Sequence, residues 1–186
     1  MSVAARQRSK LSTLQRTNVS IANRQQTRAI DLRMLRRIVH TLLSELFQTG
    51  DAEVGISLVA SPAMTRLNET FLRHAGSTDV ITFDYSSYES RITNQESRLH
   101  GEIFVCVDEA VIQARRFRTS WQSELVRYIV HGVLHLLGFD DARPVVRQGM
   151  KSEENRLLRG LKRRFPLTRL AGVRRDHLAR KVRLKS

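Results

Sequence analysis

Apolar residues along this chain follow two spacings, an alternating or continuous one typical of strands and a three-to-four-residue one typical of helices. Four segments rich in β-branched and aromatic residues fit the first spacing. The predicted strands are NVSIAN (18–23), GISLVA (55–60), TDVITFDY (78–85) and HGEIFVCV (100–107).

The helical spacing, together with start and stop signals, predicts five helices. The first covers residues 27–47 and is ended by Gly50, and the second covers 62–73, with Ser61 as N-cap and Pro62 in the first turn. The third helix is capped by Asp108 and ends near Phe117. The fourth opens with a capping box at Thr119 and Gln122 and runs to about Leu137. The fifth runs from Pro144 to about Arg164.

The resulting order is β-α-β-α-β-β-α-α-α, in which strands and helices do not strictly alternate. This order favours an α+β fold, with a small mixed β-sheet packed against helices. We expect a polar loop over residues 86–99 and one folded domain over residues 18–164. A disordered basic extension is expected over residues 1–17, and a basic tail over residues 165–186.

Length and composition fit a single globular domain, with 186 residues of which 41% are hydrophobic. No apolar run is long enough to span a bilayer, and the beginning lacks the apolar segment of a secretory signal. We therefore expect a cytoplasmic protein without membrane contact; an organelle transit peptide at the basic N-terminus is the alternative. The single cysteine, Cys106, lies in an apolar strand pattern and is interpreted as a buried core residue.

The net charge of +14 is unevenly distributed. Residues 1–50 carry +7, residues 51–142 carry −5 and residues 143–186 carry +12. A mildly acidic centre between two basic ends points to a polyanionic partner, most often a nucleic acid. Solubility alone could also explain such ends, and an anionic membrane surface is a further alternative.

The stretch HGVLHLLGFDD (131–141) contains the candidate chemistry. His131 and His135 are four residues apart, so on a helix both imidazoles project from one face, as in helices that supply two zinc ligands. Gly138 can end the helix in a left-handed conformation and bring Asp140 or Asp141 back to the histidines. Two nitrogens and one oxygen would leave one zinc position open, where bound water becomes acidic.

Two other interpretations of this stretch remain open. The histidine pair can be part of the core, and Asp140 can cap the following turn instead of binding a metal. The zinc-protease motif H-E-x-x-H has a glutamate beside its first histidine as general base, whereas Gly132 occupies that place here. The sequence therefore argues against a metalloprotease of that type.

HGVLHLLGFDD resembles HGxLHLxGxDH, the signature of the YbeY family of metal-dependent endoribonucleases. Residues 63–73 (AMTRLNETFLR) and 77–83 (STDVITF) resemble the family's LNxxxR and TDVLSF block, and residues 100–107 resemble its LGDIxI strand. The resemblance covers about residues 18–164 and leaves out both tails. It implies an α+β fold, one zinc ion at the end of a central helix, and maturation of ribosomal RNA, notably at the 3′ end of small-subunit rRNA.

By position, the resemblance implies His131, His135 and Asp141 as metal ligands. Asp141 stands where the family has a third histidine, which puts metal affinity and preference in question. The family's arginine falls at Leu72, and Arg73 lies one residue later. Arg73 is the candidate that positions a phosphate, with an ordinary exposed arginine as an equal alternative. His74 and Thr78-Asp79 are lesser candidates, and Asp79 can equally cap a turn.

The leading hypothesis is a zinc-dependent endoribonuclease that acts on rRNA of the small ribosomal subunit and in ribosome quality control. Its catalytic residues would be Arg73, His131 and His135, and Lys162-Arg163-Arg164 and Arg174-Arg175 would hold the RNA backbone. No residue is clearly the general base, although Asp140 could assist. The alternatives are a non-catalytic zinc-containing ribosome assembly factor and a metallohydrolase with a non-nucleic substrate. Ribosomal or GTPase assembly proteins are possible partners.

Overall fold

The computed structural model describes residues 16–47, 51–86 and 99–172. Four strands form one mixed sheet in the order β1-β2-β4-β3. The neighbours β1 and β2 are parallel, as are β2 and β4, whereas β3 and β4 are antiparallel. The strands are β1 (Thr17–Asn23), β2 (Ala52–Val59), β3 (Val80–Asp84) and β4 (Leu99–Cys106).

Five α-helices accompany the sheet within these residues, in the predicted chain order. Alternate residues of each strand face opposite sides of the sheet. The main core lies on one side, where residues such as Ile103 and Val105 of β4 meet the buried faces of four helices. The second helix covers part of the other side, where Met64 packs against Cys106. The helices are α1 (Leu32–Thr41), α2 (Ser61–Leu67), α3 (Val107–Arg116), α4 (Trp121–Leu136) and α5 (Pro144–Arg164).

The predicted α+β fold with a mixed sheet is confirmed, and so are the bounds of α5 and the burial of Cys106. The first helix begins later than predicted, because Asp31 is its N-cap and accepts hydrogen bonds from two backbone N–H groups. It continues as a π-helical turn over Leu42–Leu46, and the predicted stop at Gly50 lies outside the described residues. The second helix likewise ends in a π-helical turn, Asn68–Leu72.

Two predicted caps are wrong. Cys106, not Asp108, is the N-cap of α3, and Ala60, not Ser61, is the N-cap of α2. The carboxylate of Asp108 instead accepts hydrogen bonds from the Ser61 backbone N–H, at 2.6 Å, and from the hydroxyl of Thr27. One acid thus joins the chain segments that follow β1, β2 and β4.

The start of α4 also differs from the prediction. Ser120 is its N-cap and accepts a hydrogen bond from the Ser123 N–H at 3.2 Å. The hydroxyl of Thr119, expected to be the cap, donates to the Glu124 carboxylate at 2.6 Å.

The packed chain extends past residue 164, where the domain was expected to end. Phe165, Leu167 and Leu170 are buried in the main core, and Ala171 forms a β-bridge with Ile30. The predicted N-terminal extension up to residue 15, the polar loop over 87–98 and the tail from residue 173 lie outside the described residues. Among the helices described, none is long and apolar enough to cross a membrane.

Candidate metal centre

The last two turns of α4 present His131 and His135 on one face, as their spacing predicts. Their Nε2 atoms are 3.0 Å apart, and their rings meet edge to face at 84°. The side chains of both histidines are partly exposed, 22% for His131 and 27% for His135. The pair therefore lies at the surface end of a largely buried helix and is accessible to a ligand.

The chain turns sharply after α4 and brings an acid to the two histidines. Gly138 has a φ of +86°, a left-handed conformation that glycine adopts without strain. After this turn, the carboxylate oxygens of Asp141 lie 3.8 Å from His131 Nε2 and 3.9 Å from His135 Nε2. Asp140 instead accepts a hydrogen bond from the Ala142 N–H at 2.9 Å and stabilises the turn.

The other ring nitrogen of each histidine lies beside a hydrogen-bond acceptor. His131 Nδ1 is 3.1 Å from a Glu154 carboxylate oxygen, and His135 Nδ1 is 3.2 Å from the Phe139 carbonyl oxygen. Each acceptor places the proton on Nδ1, so both Nε2 atoms carry a lone pair. Two lone pairs and a carboxylate then face one point, an arrangement that suits a metal ion.

This donor set fits a zinc ion. Zn–N bonds of about 2.0–2.1 Å at tetrahedral angles place two nitrogens about 3.3 Å apart. The separations of 3.0 to 3.9 Å among the two Nε2 atoms and the nearest Asp141 oxygens bracket that value. One ligand atom from each of His131, His135 and Asp141 can be chosen so that all lie within 4.8 Å of one another. Three protein ligands leave the fourth tetrahedral position open, as in catalytic zinc sites.

Glu154 is a site residue that the sequence analysis did not identify. It lies on α5, is only 7% exposed and binds both His131 and the guanidinium of Arg127. A signal for it does exist in the sequence. The apolar stripe of α5 contains Met150, Leu157 and Leu161, and Glu154 occupies a position of that stripe. An acid at a core-facing position requires a buried partner.

The carboxylate and the imidazole shift each other's protonation. Burial alone would raise the pKa of Glu154, but the hydrogen bonds and charges of His131 and Arg127 lower it. Burial alone would lower the pKa of His131, but the hydrogen bond and charge of Glu154 outweigh this effect and raise it. The pair therefore favours an ionised carboxylate beside His131, which orients the ring and increases its basicity.

A cavity of about 250 Å³ opens beside the histidines. Its wall includes His131, Asp141 and Glu154, and its rim carries the exposed cations Arg147 and Lys151. Arg147 also donates from Nε to the Asp141 backbone carbonyl at 2.8 Å, which fixes the turn next to the site. Both cations were missed by the sequence analysis, because their proximity to His131 depends on how α5 packs against α4.

Arg73, the predicted phosphate-binding residue, does not line this cavity. It is exposed and has a left-handed φ of +56° at the end of the turn that follows α2. His74 is likewise exposed. Asp79 does line the cavity, and one of its carboxylate oxygens accepts hydrogen bonds from the Thr78 hydroxyl and the Val80 N–H.

Gly132 lies where the helix meets the sheet. A Cβ atom at this position would be 2.6 Å from Ile103 Cγ2 on β4, far closer than packed carbons approach. The position between the two histidines therefore faces the core and not the cavity. A glutamate there, as in zinc proteases, could not reach a substrate, which agrees with the sequence-based argument against that class.

The chain is similar in sequence and fold to known proteins. Residues 20–162 match the family described as Endoribonuclease YbeY. The Endoribonuclease YbeY of Chlorobium phaeovibrioides is 38% identical over 134 residues, which are 71% of this chain and 83% of that protein. That of Salinibacter ruber is 31% identical over 142 residues, which are 75% of this chain and 89% of that protein. The solution structure of TM1509 from Thermotoga maritima aligns at a TM-score of 0.58 and 22% identity, over 85% of this chain and 98% of that one, so it shares the fold.

Proposed function

This chain belongs to the endoribonuclease YbeY family, and on that premise we propose that it is a zinc-dependent endoribonuclease that cleaves ribosomal RNA. The proposed substrate is the 3′ region of small-subunit rRNA, during maturation and in ribosome quality control. The observation that carries the proposal is the convergence of two histidine lone pairs and the Asp141 carboxylate beside an open, cation-rimmed cavity.

In this proposal His131, His135 and Asp141 hold the ion. A bound zinc ion would polarise the scissile phosphodiester and activate water. The chain's own residues orient the site: Glu154 holds the His131 ring, and the Phe139 carbonyl holds the His135 ring. A fixed tautomer at each histidine keeps both Nε2 atoms available.

Cationic side chains would position the RNA backbone. Arg147 and Lys151 line the cavity and can bind the phosphodiester next to the ion. The exposed helix end Lys162-Arg163-Arg164 can contact phosphates farther along the strand. Arg73 stays a prediction as a phosphate-binding residue, since it makes no ion pair with another described residue and is free to reach a longer substrate.

The test combines zinc content with cleavage of structured rRNA fragments. We expect about one zinc per wild-type chain and RNA cleavage, with both lost in His135→Ala and Asp141→Ala. Asp140→Asn is the matched control and should keep its zinc, because it removes the charge but keeps an oxygen that can accept the turn hydrogen bond from Ala142. Arg73→Ala should keep its zinc and weaken RNA binding, with a shallower salt dependence.

Two results would change the assignment. Zinc without cleavage, together with intact ribosome binding, would favour a non-catalytic assembly factor. A folded wild-type protein that takes up no zinc would mean that Asp141 does not complete the ligand set.

A further inference from the structure

A second cavity lies directly beside the metal cavity and has no role in the function proposed so far. Its volume is about 400 Å³, within the range of small-ligand pockets. The two cavities share Asp79, Arg127 and Tyr128 as common wall residues. A molecule bound in one is therefore adjacent to a molecule bound in the other.

The charges of the second cavity disfavour a phosphate. Three carboxylates line it, those of Asp79, Glu109 and Glu124, against the single guanidinium of Arg127. That guanidinium is already bound by Glu154 and, at 3.0 Å, by the Asn155 side chain. Such a lining attracts hydrogen-bond donors, such as hydroxyl and amino groups. The cations that suit a phosphate, Arg147 and Lys151, belong to the metal cavity.

Tyr128 provides an independent indication of a ligand. Its side chain lines both cavities, and the residue is only 5% exposed. Its hydroxyl forms no hydrogen bond with any other residue that the structure describes, and it keeps some contact with solvent in the cavity wall. Burial and the neighbouring carboxylates, first among them Asp79, raise its pKa, so the phenol stays protonated and remains a donor. A solvent-accessible hydroxyl without a protein partner in a cavity wall is available to bind a ligand.

The remaining wall offers groups that suit a nucleobase. Phe117 is 61% exposed, and its ring provides a flat apolar surface for stacking. Gln113, one turn earlier on α3, can donate and accept hydrogen bonds at a base edge. Thr78 and Asp79 lie across the cavity, before β3.

We propose that this second cavity is a nucleoside subsite. It would hold one ribonucleoside of the substrate, with ribose hydroxyls at Tyr128 and Asp79 and the base at Gln113 and Phe117. The adjoining phosphodiester would then lie in the metal cavity. The proposal rests on the proposed function for the identity of the ligand, and it gives Thr78-Asp79, left without a role in cleavage, a place in substrate binding.

The experiment is a titration of the full ¹⁵N-labelled chain with adenosine, uridine, their 2′-deoxy forms and inorganic phosphate, followed by NMR. We expect ribonucleosides to shift the signals of Thr78, Asp79 and Gln113 in a saturable manner, with deoxynucleosides binding more weakly. Loss of one hydrogen bond in Tyr128→Phe should weaken binding about fivefold. Tyr85→Phe is the matched control, because Tyr85 is half exposed, packs on His100 and lines neither cavity.

Several outcomes would overturn the subsite. These are no shifts with nucleosides up to about 10 mM, shifts confined to other surfaces, phosphate shifting the same signals as strongly, or unchanged affinity in Tyr128→Phe. Gln113→Ala, at a partly exposed position of α3, is a second variant that tests the same wall if Tyr128→Phe does not fold. If the wild type cleaves rRNA but its second cavity does not bind nucleosides, the subsite is wrong and the nuclease function stands. If nucleosides bind but rRNA is not cleaved, the subsite stands and the nuclease function is wrong.

Discussion

Replacement of Glu154 by glutamine tests how the metal centre is held together. The variant keeps the shape of the side chain and removes its charge. In the wild type one carboxylate accepts from His131 Nδ1 at 3.1 Å and also binds Arg127. A glutamine has a single acceptor oxygen, so it can serve only one of these donors, and its amide N–H groups then face the other.

The expected loss has two parts. Removing an outer partner of a metal-binding histidine lowers metal affinity about 10- to 100-fold, equivalent to about 1.4–2.7 kcal/mol. The metal-free protein should lose about 1–3 kcal/mol of unfolding free energy, since a buried charge loses its partner. This second loss is limited because Arg127 keeps contacts with Asn155 and, at 3.5 Å, with Glu124.

Zinc affinity is measured by competition with a chromophoric chelator, and unfolding free energy by urea titration of the metal-free protein. Glu153→Gln is the matched control, because the neighbouring Glu153 is paired with Arg156 and not with a histidine. We expect near wild-type zinc affinity in this control. A Glu154→Gln variant that binds zinc within threefold of the wild type would refute the view that this carboxylate holds His131 in place.

Two further predictions concern stability. Partial burial alone would raise the pKa of Asp108, but hydrogen bonds from Ser61 and Thr27 lower it overall. Asp108 therefore stabilises the folded protein at pH values above the carboxyl pKa of the unfolded chain, and this stabilisation is lost as pH falls through the lower pKa of the folded state. Urea titrations at several pH values should therefore show Asp108→Asn less stable than the wild type near neutral pH, with the gap closing in acid; a gap independent of pH would contradict this. Gly132→Ala should lose about 1–3 kcal/mol by urea titration because its Cβ would overlap a strand side chain. Gly149→Ala, in open space on α5, should instead gain up to about 1 kcal/mol, and equal effects at the two glycines would argue against tight packing at the first.

The parts of the fold that local sequence spacing determines were predictable. The order of strands and helices follows from apolar periodicity, and the pairing of His131 with His135 follows from helix geometry. Gly138 indicated the turn after α4, and the choice between Asp140 and Asp141 needed the three-dimensional path of that turn.

The missed features all depend on contacts between separate elements. Glu154 and Lys151 reach the site only because α5 packs against α4, and no local motif shows this packing. The wrong caps have the same cause. The Asp108 carboxylate binds Ser61 and Thr27 from other segments of the chain, and the Thr119 hydroxyl binds the Glu124 side chain instead of a backbone N–H group.

The position of β4 in the sheet has a consequence for how the protein folds during synthesis. It is the last of the described strands along the chain, yet it lies between β2 and β3. A partly synthesised chain therefore has an open strand edge on β2, and β3 lacks its neighbour until β4 emerges from the ribosome. Such edges readily pair with other chains. Because α4 packs on β3 and β4, its histidines gain a firm base only after this strand is inserted. The ligand set can therefore be completed only after the sheet is closed.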